Sequence, residues 1–158
     1  SSNPPHISLI SISKIFDLCF KDFTIICVIR NPLERIKSYY KYLKFSNRNH
    51  RLHELAKQSN IDLFVERFIS DDGHDTFPQF TYFARLSNLF VKNYYFLRFE
   101  SLNQDFNQMQ NYFGMKNLKL GRLNKSEETE KLKLSENSKK RVILYEKETV
   151  KLGSYNSF

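Results

Sequence analysis

The 158-residue sequence contains no tryptophan, four glycines, four prolines and two cysteines. So few glycines and prolines predict long regular elements, because these residues most often interrupt helices and strands. Cys19 and Cys27 lie in apolar surroundings, are too few for a disulfide framework and lack the spacing of metal ligands, so we predict free, buried thiols. No apolar run approaches the roughly 20 residues that span a bilayer, and the first residues lack the organisation of a signal peptide.

The sequence is rich in apolar and basic residues. Apolar residues make up 41% of the chain, with 15 Phe and 9 Tyr, and the length suits a single domain over residues 1–158 with a substantial core. The formal net charge is +8, which points to an anionic partner. Nucleic acid, a phosphorylated cofactor, an acidic glycan and a membrane surface all meet that requirement.

Hydrophobic periodicity predicts an α/β fold. The continuous run Phe23–Ile29 is typical of a strand covered on both faces, and YYFLRF at Tyr94–Phe99 predicts a second strand. Helical spacing of apolar residues appears before, between and after them, which favours a parallel sheet with helical connections. The predicted helices are residues 7–20, a helix capped by Asn31, one capped by Asn60, one capped by Asn103 and a final one from Ser135 to about Leu152.

A candidate phosphate site lies where the first strand meets its helix, in TIICVIRNPLERIKSYY. Asn31 is a good N-cap, Pro32 suits the first helical position and Glu34 stands where a capping-box carboxylate belongs. A helix start attracts anions through its unpaired N–H groups, and the Arg30 guanidinium can hold phosphate oxygens in bidentate fashion. Ser38 falls opposite the apolar stripe of this helix and could donate to the same anion. The alternative is that Arg30 pairs with Glu34 or another carboxylate and Ser38 is an ordinary polar helix position.

The spacing of Arg30 and Ser38 within VIRNPLERIKSYYKYLKF resembles the 3′-phosphate-binding motif of the carbohydrate sulfotransferases. These enzymes use 3′-phosphoadenosine 5′-phosphosulfate (PAPS), and the uronyl 2-O-sulfotransferases of heparan and dermatan sulfate are the most similar. The resemblance implies a three-layer α/β fold of the P-loop NTPase type, with helices flanking a central parallel sheet. It also implies that Arg30 and Ser38 bind the 3′-phosphate, and that the acceptor is a glycan, which the basic charge suggests is acidic.

Weaker similarity extends along most of the chain, through HDTFPQFTYF, YYFLRFESLNQDF and LNKSEE. The last segment resembles the loop that closes over the nucleotide and makes Lys125 a cofactor-binding candidate, the alternative being a solvated loop lysine. His6 stands 24 residues before Arg30, at a distance similar to that of the family's catalytic histidine, so the resemblance implies that His6 is the general base. The alternative is a surface histidine.

The remaining polar candidates receive weaker roles. His50 and His53 fall in a basic stretch and are expected to be solvated, whereas His74 follows a helix stop and is a lesser acceptor-side candidate. Glu100, after the second strand, is expected to be a structural partner of a helix start or an arginine. No cluster of His, Cys or carboxylates has the spacing of metal ligands, so no metal is predicted.

The sequence departs from the family pattern at its start. The Gly/Ser/Thr-rich loop that wraps the 5′-phosphosulfate should precede His6, and SSNPPH cannot supply it. Either the sequence is the C-terminal portion of a longer enzyme, which we favour, or it is a degenerate homologue. In both cases we expect weak nucleotide binding and slow or absent turnover. Animal relatives are anchored in the Golgi, and a microbial origin would suggest the cytoplasm.

Two other classes compete with a sulfotransferase. A basic nucleic-acid-binding module would use Arg and Lys to neutralise phosphates and tyrosines to stack on bases, but the charges are dispersed and no recognised signature appears. A non-catalytic nucleotide-binding homologue would keep Arg30 and Ser38 without the chemistry. A kinase is disfavoured because the chain has no GxxxxGK[ST] motif.

Overall fold

The computed structural model describes residues 23–45, 52–71, 78–79, 93–115, 118–121 and 132–155. Helices predominate in these ranges, and two strands form a small parallel sheet. The elements in chain order are β1 (Thr24–Ile29), α1 (Pro32–Phe45), α2 (His53–Gln58), α3 (Ile61–Ser70), β2 (Asn93–Arg98), a 3₁₀ turn (Phe99–Ser101), α4 (Leu102–Tyr112), α5 (Glu136–Tyr145) and α6 (Lys147–Leu152). The predicted mixed α/β class is confirmed, whereas the predicted helix at residues 7–20 lies outside the described residues.

The two strands run parallel, as the helical crossover between them predicts. Thr24 pairs with Asn93 and Ile29 pairs with Arg98, so both strands end at the same edge of the sheet. Arg30 and Phe99, the residues that follow the two strands, are therefore neighbours. This edge is the place where open α/β sheets bind ligands.

The prediction that β1 is covered on both faces is wrong in the described structure. Cys27 and Ile29 are buried, but Ile26 and Val28 on the opposite face are 46% and 50% exposed. On that face α4 packs against β2, where Leu97 is buried, whereas these two β1 side chains stay exposed. A continuous apolar run therefore indicated a strand correctly without indicating how many of its faces are covered.

Helix α1 begins where the sequence predicts and buries the predicted stripe. The Asn31 side chain accepts hydrogen bonds from the backbone N–H groups of Leu33 (3.0 Å) and Glu34 (3.3 Å), which satisfies two of the unpaired donors of the first turn. The capping-box role predicted for Glu34 is wrong, because Glu100 accepts from the Asn31 backbone N–H instead, at 2.8 Å. The buried stripe of α1 is Leu33, Ile36, Tyr40 and Leu43.

The main hydrophobic core lies between α1, α2, α3 and α5. Helix α3 has the predicted Asn60 cap, whose side chain accepts from the Leu63 N–H at 2.9 Å, and it buries Phe64 and Phe68. Tyr40 packs edge-on against Phe64 with ring centroids 5.2 Å apart. Such aromatic pairs add to the stabilisation that burial alone provides.

Helix α2 was not predicted. Its six residues follow a basic stretch, and that charge obscured the apolar pair Leu52 and Ala56, which are both buried in the core. The expectation that His53 is solvated is wrong: His53 is 9% exposed, and its Nδ1 atom is buried without a hydrogen-bond partner in the described ranges. His50 lies outside the described residues.

Two helix boundaries in the second half of the chain differ from prediction. The cap of α4 is Ser101, and Asn103 lies inside the helix, so the predicted Asn103 cap is wrong. The final helix begins after Ser135 as predicted but is divided at Glu146 into α5 and α6. The division coincides with a Glu146 carboxylate that faces the interior. No helix within the described ranges is long and apolar enough to cross a membrane.

Candidate functional site

The backbone of Arg30 is held by the side-chain amide of Gln79. The Arg30 N–H donates to Gln79 Oε1 and Gln79 Nε2 donates to the Arg30 carbonyl oxygen, both at 2.9 Å. This pair of bonds copies what a neighbouring strand would make with an extended residue. The amide thus extends the hydrogen bonding of β1 by one residue at its outer edge, across 49 positions of sequence.

The guanidinium of Arg30 lies over the ring of Phe99, with Cζ 4.6 Å from the ring centroid. Stacking of this kind is attractive and restrains the plane of the guanidinium. The Arg30 Nε atom is buried and has no hydrogen-bond partner within the part of the chain that the structure describes. A buried donor without an acceptor costs about 1–3 kcal/mol, so this atom requires an acceptor that the described protein does not supply.

The alternative in which Arg30 pairs with Glu34 does not occur. Glu34 accepts from Lys37 Nζ at 2.8 Å within α1, and no ion pair of the Arg30 guanidinium is found among the described residues. The guanidinium therefore keeps its charge available at the carboxyl edge of the sheet. Its sole described side-chain partner is the exposed ring of Phe99.

Ser38 lies on the side of α1 that faces away from the core stripe. It stands seven residues after Asn31, which places it on the same side of the helix and about 10 Å further along the axis. Its side chain is half-buried and makes no hydrogen bond to any described residue. No direct hydrogen bond joins Ser38 to Arg30, so any convergence of the two would be through a shared ligand.

Glu100 joins the ends of both strands to the last described residues of the chain. One carboxylate oxygen accepts from the Asn31 N–H, and the other accepts from the Tyr155 hydroxyl at 2.8 Å. Burial, followed by the hydrogen bond to the Glu100 carboxylate, raises the pKa of Tyr155 well above its usual value. The structural role predicted for Glu100 at a helix start is confirmed.

Glu146 supports Gln79 from the interior. Glu146 is only 2% exposed. Its carboxylate accepts hydrogen bonds from the Gln79 backbone N–H at 2.9 Å and from the Thr149 hydroxyl at 2.6 Å. Arg35 Nη1 completes the set with an ion pair at 2.7 Å. A buried carboxylate of this kind is tolerated because an ion pair and two further hydrogen bonds replace its contacts with water.

A second arginine at the same edge is already paired. Arg98 donates from its backbone N–H, Nε and Nη2 to Asp105, at 2.8 to 3.0 Å. The Arg98 hydrogen bond holds the pKa of Asp105 down to about 2, against a usual value of 3.8. Asp105 thereby ties the end of β2 to α4, and Arg98 differs from Arg30 in having its charge matched.

Two surface depressions lie elsewhere. One of about 260 Å³ is bounded by Asn31, Leu33, Glu34, Lys37 and Lys139, beside the start of α1. Another of about 440 Å³ lies at the far end of α4, next to Gln110 and Leu118. Neither is lined by Arg30 or Ser38, although the first shares Asn31 with the region around Arg30; its two lysines, Lys37 and Lys139, are ion-paired with Glu34 and Glu136.

Several predicted site residues fall outside the described ranges. These are the proposed base His6, the nucleotide-loop candidate Lys125, and His74.

Cys27 is a free, buried thiol as predicted, and burial raises its pKa to about 11, whereas Cys19 is not described. Within the described ranges no group of three or more His, Cys, Asp or Glu side chains could hold a metal ion.

Sequence reasoning did not identify Gln79, Phe99 or Glu146 as part of this region. All three lie far from Arg30 in the chain. Gln79 and Phe99 lie in the segments HDTFPQFTYF and YYFLRFESLNQDF, whose similarity to the family assigned them no role, and Glu146 has no local motif. For Phe99 one signal was available in the sequence. It ends the second predicted strand, and parallel strands end at a common edge of the sheet, so its position predicts that it lies near Arg30.

Comparisons of the chain with protein-family models, with curated proteins and with solved structures find no match.

Proposed function

We propose that this protein binds the 3′-phosphate of an adenosine 3′-phosphate nucleotide through Arg30 and Ser38, as part of a PAPS-dependent sulfotransferase that acts on a glycan hydroxyl. The observation that carries the proposal is the Arg30 Nε atom, which is buried at the carboxyl edge of a parallel sheet and finds no acceptor among the described residues. A phosphate can accept from Nε and a terminal guanidinium nitrogen together, and such bidentate pairs are among the stronger hydrogen bonds in proteins.

The remaining parts of the proposal follow from the resemblance. The fold would be the three-layer arrangement of the sulfotransferases, with the β1–β2 pair in its central sheet. The nucleotide supplies the activated sulfuryl group. His6 would remove the proton of the acceptor hydroxyl, and Lys125 would approach the nucleotide from its loop. The net charge of +8 suits an anionic nucleotide and an acidic glycan.

Isothermal titration with adenosine 3′,5′-bisphosphate tests the phosphate site. We expect Arg30→Ala to weaken binding about a hundredfold, since a charge-assisted bidentate contact is lost. Ser38→Ala should weaken it about tenfold, the cost of one hydrogen bond. Arg67→Ala removes the same charge from an exposed position on α3 and is the matched control; it should leave the affinity nearly unchanged.

Several results would contradict the proposal. Undiminished binding in Arg30→Ala would show that the nucleotide binds elsewhere. Equal losses in Arg30→Ala and Arg67→Ala would show that the protein responds to net charge alone. Tight, salt-dependent binding of an oligonucleotide that the bisphosphate does not displace would favour the nucleic-acid-binding class instead.

A further inference from the structure

We infer that Gln79 is a positioning residue for the anion-binding arginine, and that it sets the direction of the Arg30 side chain through the Arg30 backbone. The inference rests on the proposed function, because it assigns Gln79 a part in that same site. Gln79 does not need to touch the anion. Its amide fixes the peptide groups on both sides of the Arg30 Cα atom, and these determine where the side chain starts.

The position of the amide follows from strand geometry. The N–H and C=O groups of one extended residue point to the same side of the strand, and those of its neighbours point to the other side. The Asn31 N–H and the Ile29 carbonyl oxygen face the β2 side, where they meet Glu100 and Tyr155. The Arg30 groups must therefore face the outer edge of β1, and Gln79 is the group that meets them there.

Gln79 is itself anchored from the interior. Its backbone N–H donates to the buried Glu146 carboxylate, which is also held by Arg35 and Thr149. A side chain fixed at its own backbone and hydrogen-bonded through both amide atoms has little remaining freedom. Arg30 is thus restrained twice, at its backbone by Gln79 and at its guanidinium by Phe99. Its Nε donor is consequently held in one place before a ligand arrives, and such preorganisation favours binding.

The chain supplies a matched control in Gln110. The Gln110 amide makes the same two-bond arrangement with a different backbone: its Nε2 donates to the Leu118 carbonyl oxygen at 3.2 Å and its Oε1 accepts from the Leu118 N–H. Gln110 lies on α4, away from Arg30. Replacing either glutamine with methionine keeps the length of the side chain and removes both hydrogen bonds. A loss of binding in Gln79→Met alone therefore reports the positioning of Arg30, whereas equal losses in the two variants report a general loss of stability.

The first measurement is titration with adenosine 3′,5′-bisphosphate. Gln79→Met should weaken binding about tenfold, because Arg30 must be reoriented on binding, whereas Gln110→Met should bind as the unaltered protein does. Equal losses in the two variants, or undiminished binding by Gln79→Met, would overturn the inference. Gln79→Asn keeps the amide oxygen and nitrogen but has a side chain that is one methylene shorter. It should weaken binding in the same direction and serves if Gln79→Met does not fold.

The second measurement reads the direction of Arg30 without a ligand. The Phe99 ring shifts the nuclear magnetic resonance signal of the Arg30 Nε–H, and Phe99→Leu identifies that contribution. In Gln79→Met the signal should move toward its position in Phe99→Leu, and in Gln110→Met it should stay. A signal unmoved in Gln79→Met overturns the inference. If the unaltered protein fails to bind the nucleotide while the signal moves as expected, the proposed function is refuted and the control of Arg30 by Gln79 is supported.

Discussion

Two arginines follow or end the strands of the sheet, and their environments set different roles for them. Arg98 is hydrogen-bonded to Asp105 through three of its nitrogens, counting the backbone, and serves to join β2 to α4. Arg30 has an aromatic ring and a backbone clamp but no carboxylate among the described residues. Residue type alone does not distinguish a structural arginine from one that can bind an anion; the surrounding acceptors do.

The Asp105 carboxylate should contribute to stability in a pH-dependent way. We expect Asp105→Asn to lower the free energy of unfolding at pH 7 by about 2 kcal/mol, because hydrogen bonds to a charged group are lost. The pKa of Asp105 is lowered, so its contribution is complete above the usual value of 3.8 and is lost as the pH falls toward about 2. Urea unfolding from pH 7 to pH 2 should show the variant and the unaltered protein converging at the acid end.

Glu136→Gln is the control for this prediction. The pKa of Glu136 is also lowered, by its bond to Lys139, but the pair is exposed on the surface of α5. Exposed ion pairs contribute little, so the stability of Glu136→Gln should track that of the unaltered protein. A constant difference between Asp105→Asn and the unaltered protein across the acid range would show that the carboxylate charge is not the source of the effect.

At the scale of elements, the helix starts contain many of the residues from which the local structure of this sequence can be predicted. Asn60 caps α3 and Ser135 caps α5. Asp62, in the first turn of α3, accepts from both the N–H and the hydroxyl of Ser135 at 3.0 Å. The hydrogen bond from the Ser138 side chain, followed by those from Ser135, keeps the pKa of Asp62 below its usual value. The starts of two helices that are far apart in sequence are thereby joined.

Two asparagines test whether capping, rather than residue type, stabilises the helices. Asn60→Ala should lower the free energy of unfolding by about 1 kcal/mol, since the cap to Leu63 is removed. Asn103→Ala should cause no loss, because Asn103 lies inside α4 and alanine is the better helix former there. The urea midpoints of both variants give the comparison, and equal losses would contradict it.

These elements also show what the sequence could and could not predict. The strand Thr24–Ile29, the Asn31 cap and the stripe of α1 follow from patterns within about four residues of one another, which propensity and periodicity capture. Helix α2 is short and polar on most sides, and its burial depends on packing against α1. The Gln79 clamp and the break at Glu146 depend on partners more than 45 residues away, as the separations of 49 and 67 show.

At the scale of the whole molecule, Glu146 connects the helical core to the edge of the sheet. It contacts α1 through Arg35, the segment at Gln79 and its own helix through Thr149. Each of these parts also belongs to the core or to the region around Arg30. The division between α5 and α6 therefore marks the place where the C-terminal helices meet the candidate site.

Loss of the Glu146 carboxylate should affect the entire fold. We expect Glu146→Ala to lower the free energy of unfolding by about 3 kcal/mol, because Arg35 loses a buried partner and the Gln79 N–H loses its acceptor. Glu54→Ala removes an exposed carboxylate from α2 and should change stability little. Thermal unfolding by circular dichroism separates the two, and equal melting temperatures for both variants would refute the role of Glu146.

The link from Tyr155 to Glu100 and the Ile29 carbonyl oxygen has a consequence for synthesis on the ribosome. The edge around Arg30 draws on residues from position 29 to position 155, so the chain must emerge beyond position 155 before these bonds can form. A nascent chain that is stalled just before position 155 would contain both Gln79 and Phe99 but would lack the Tyr155 hydroxyl that donates to Glu100.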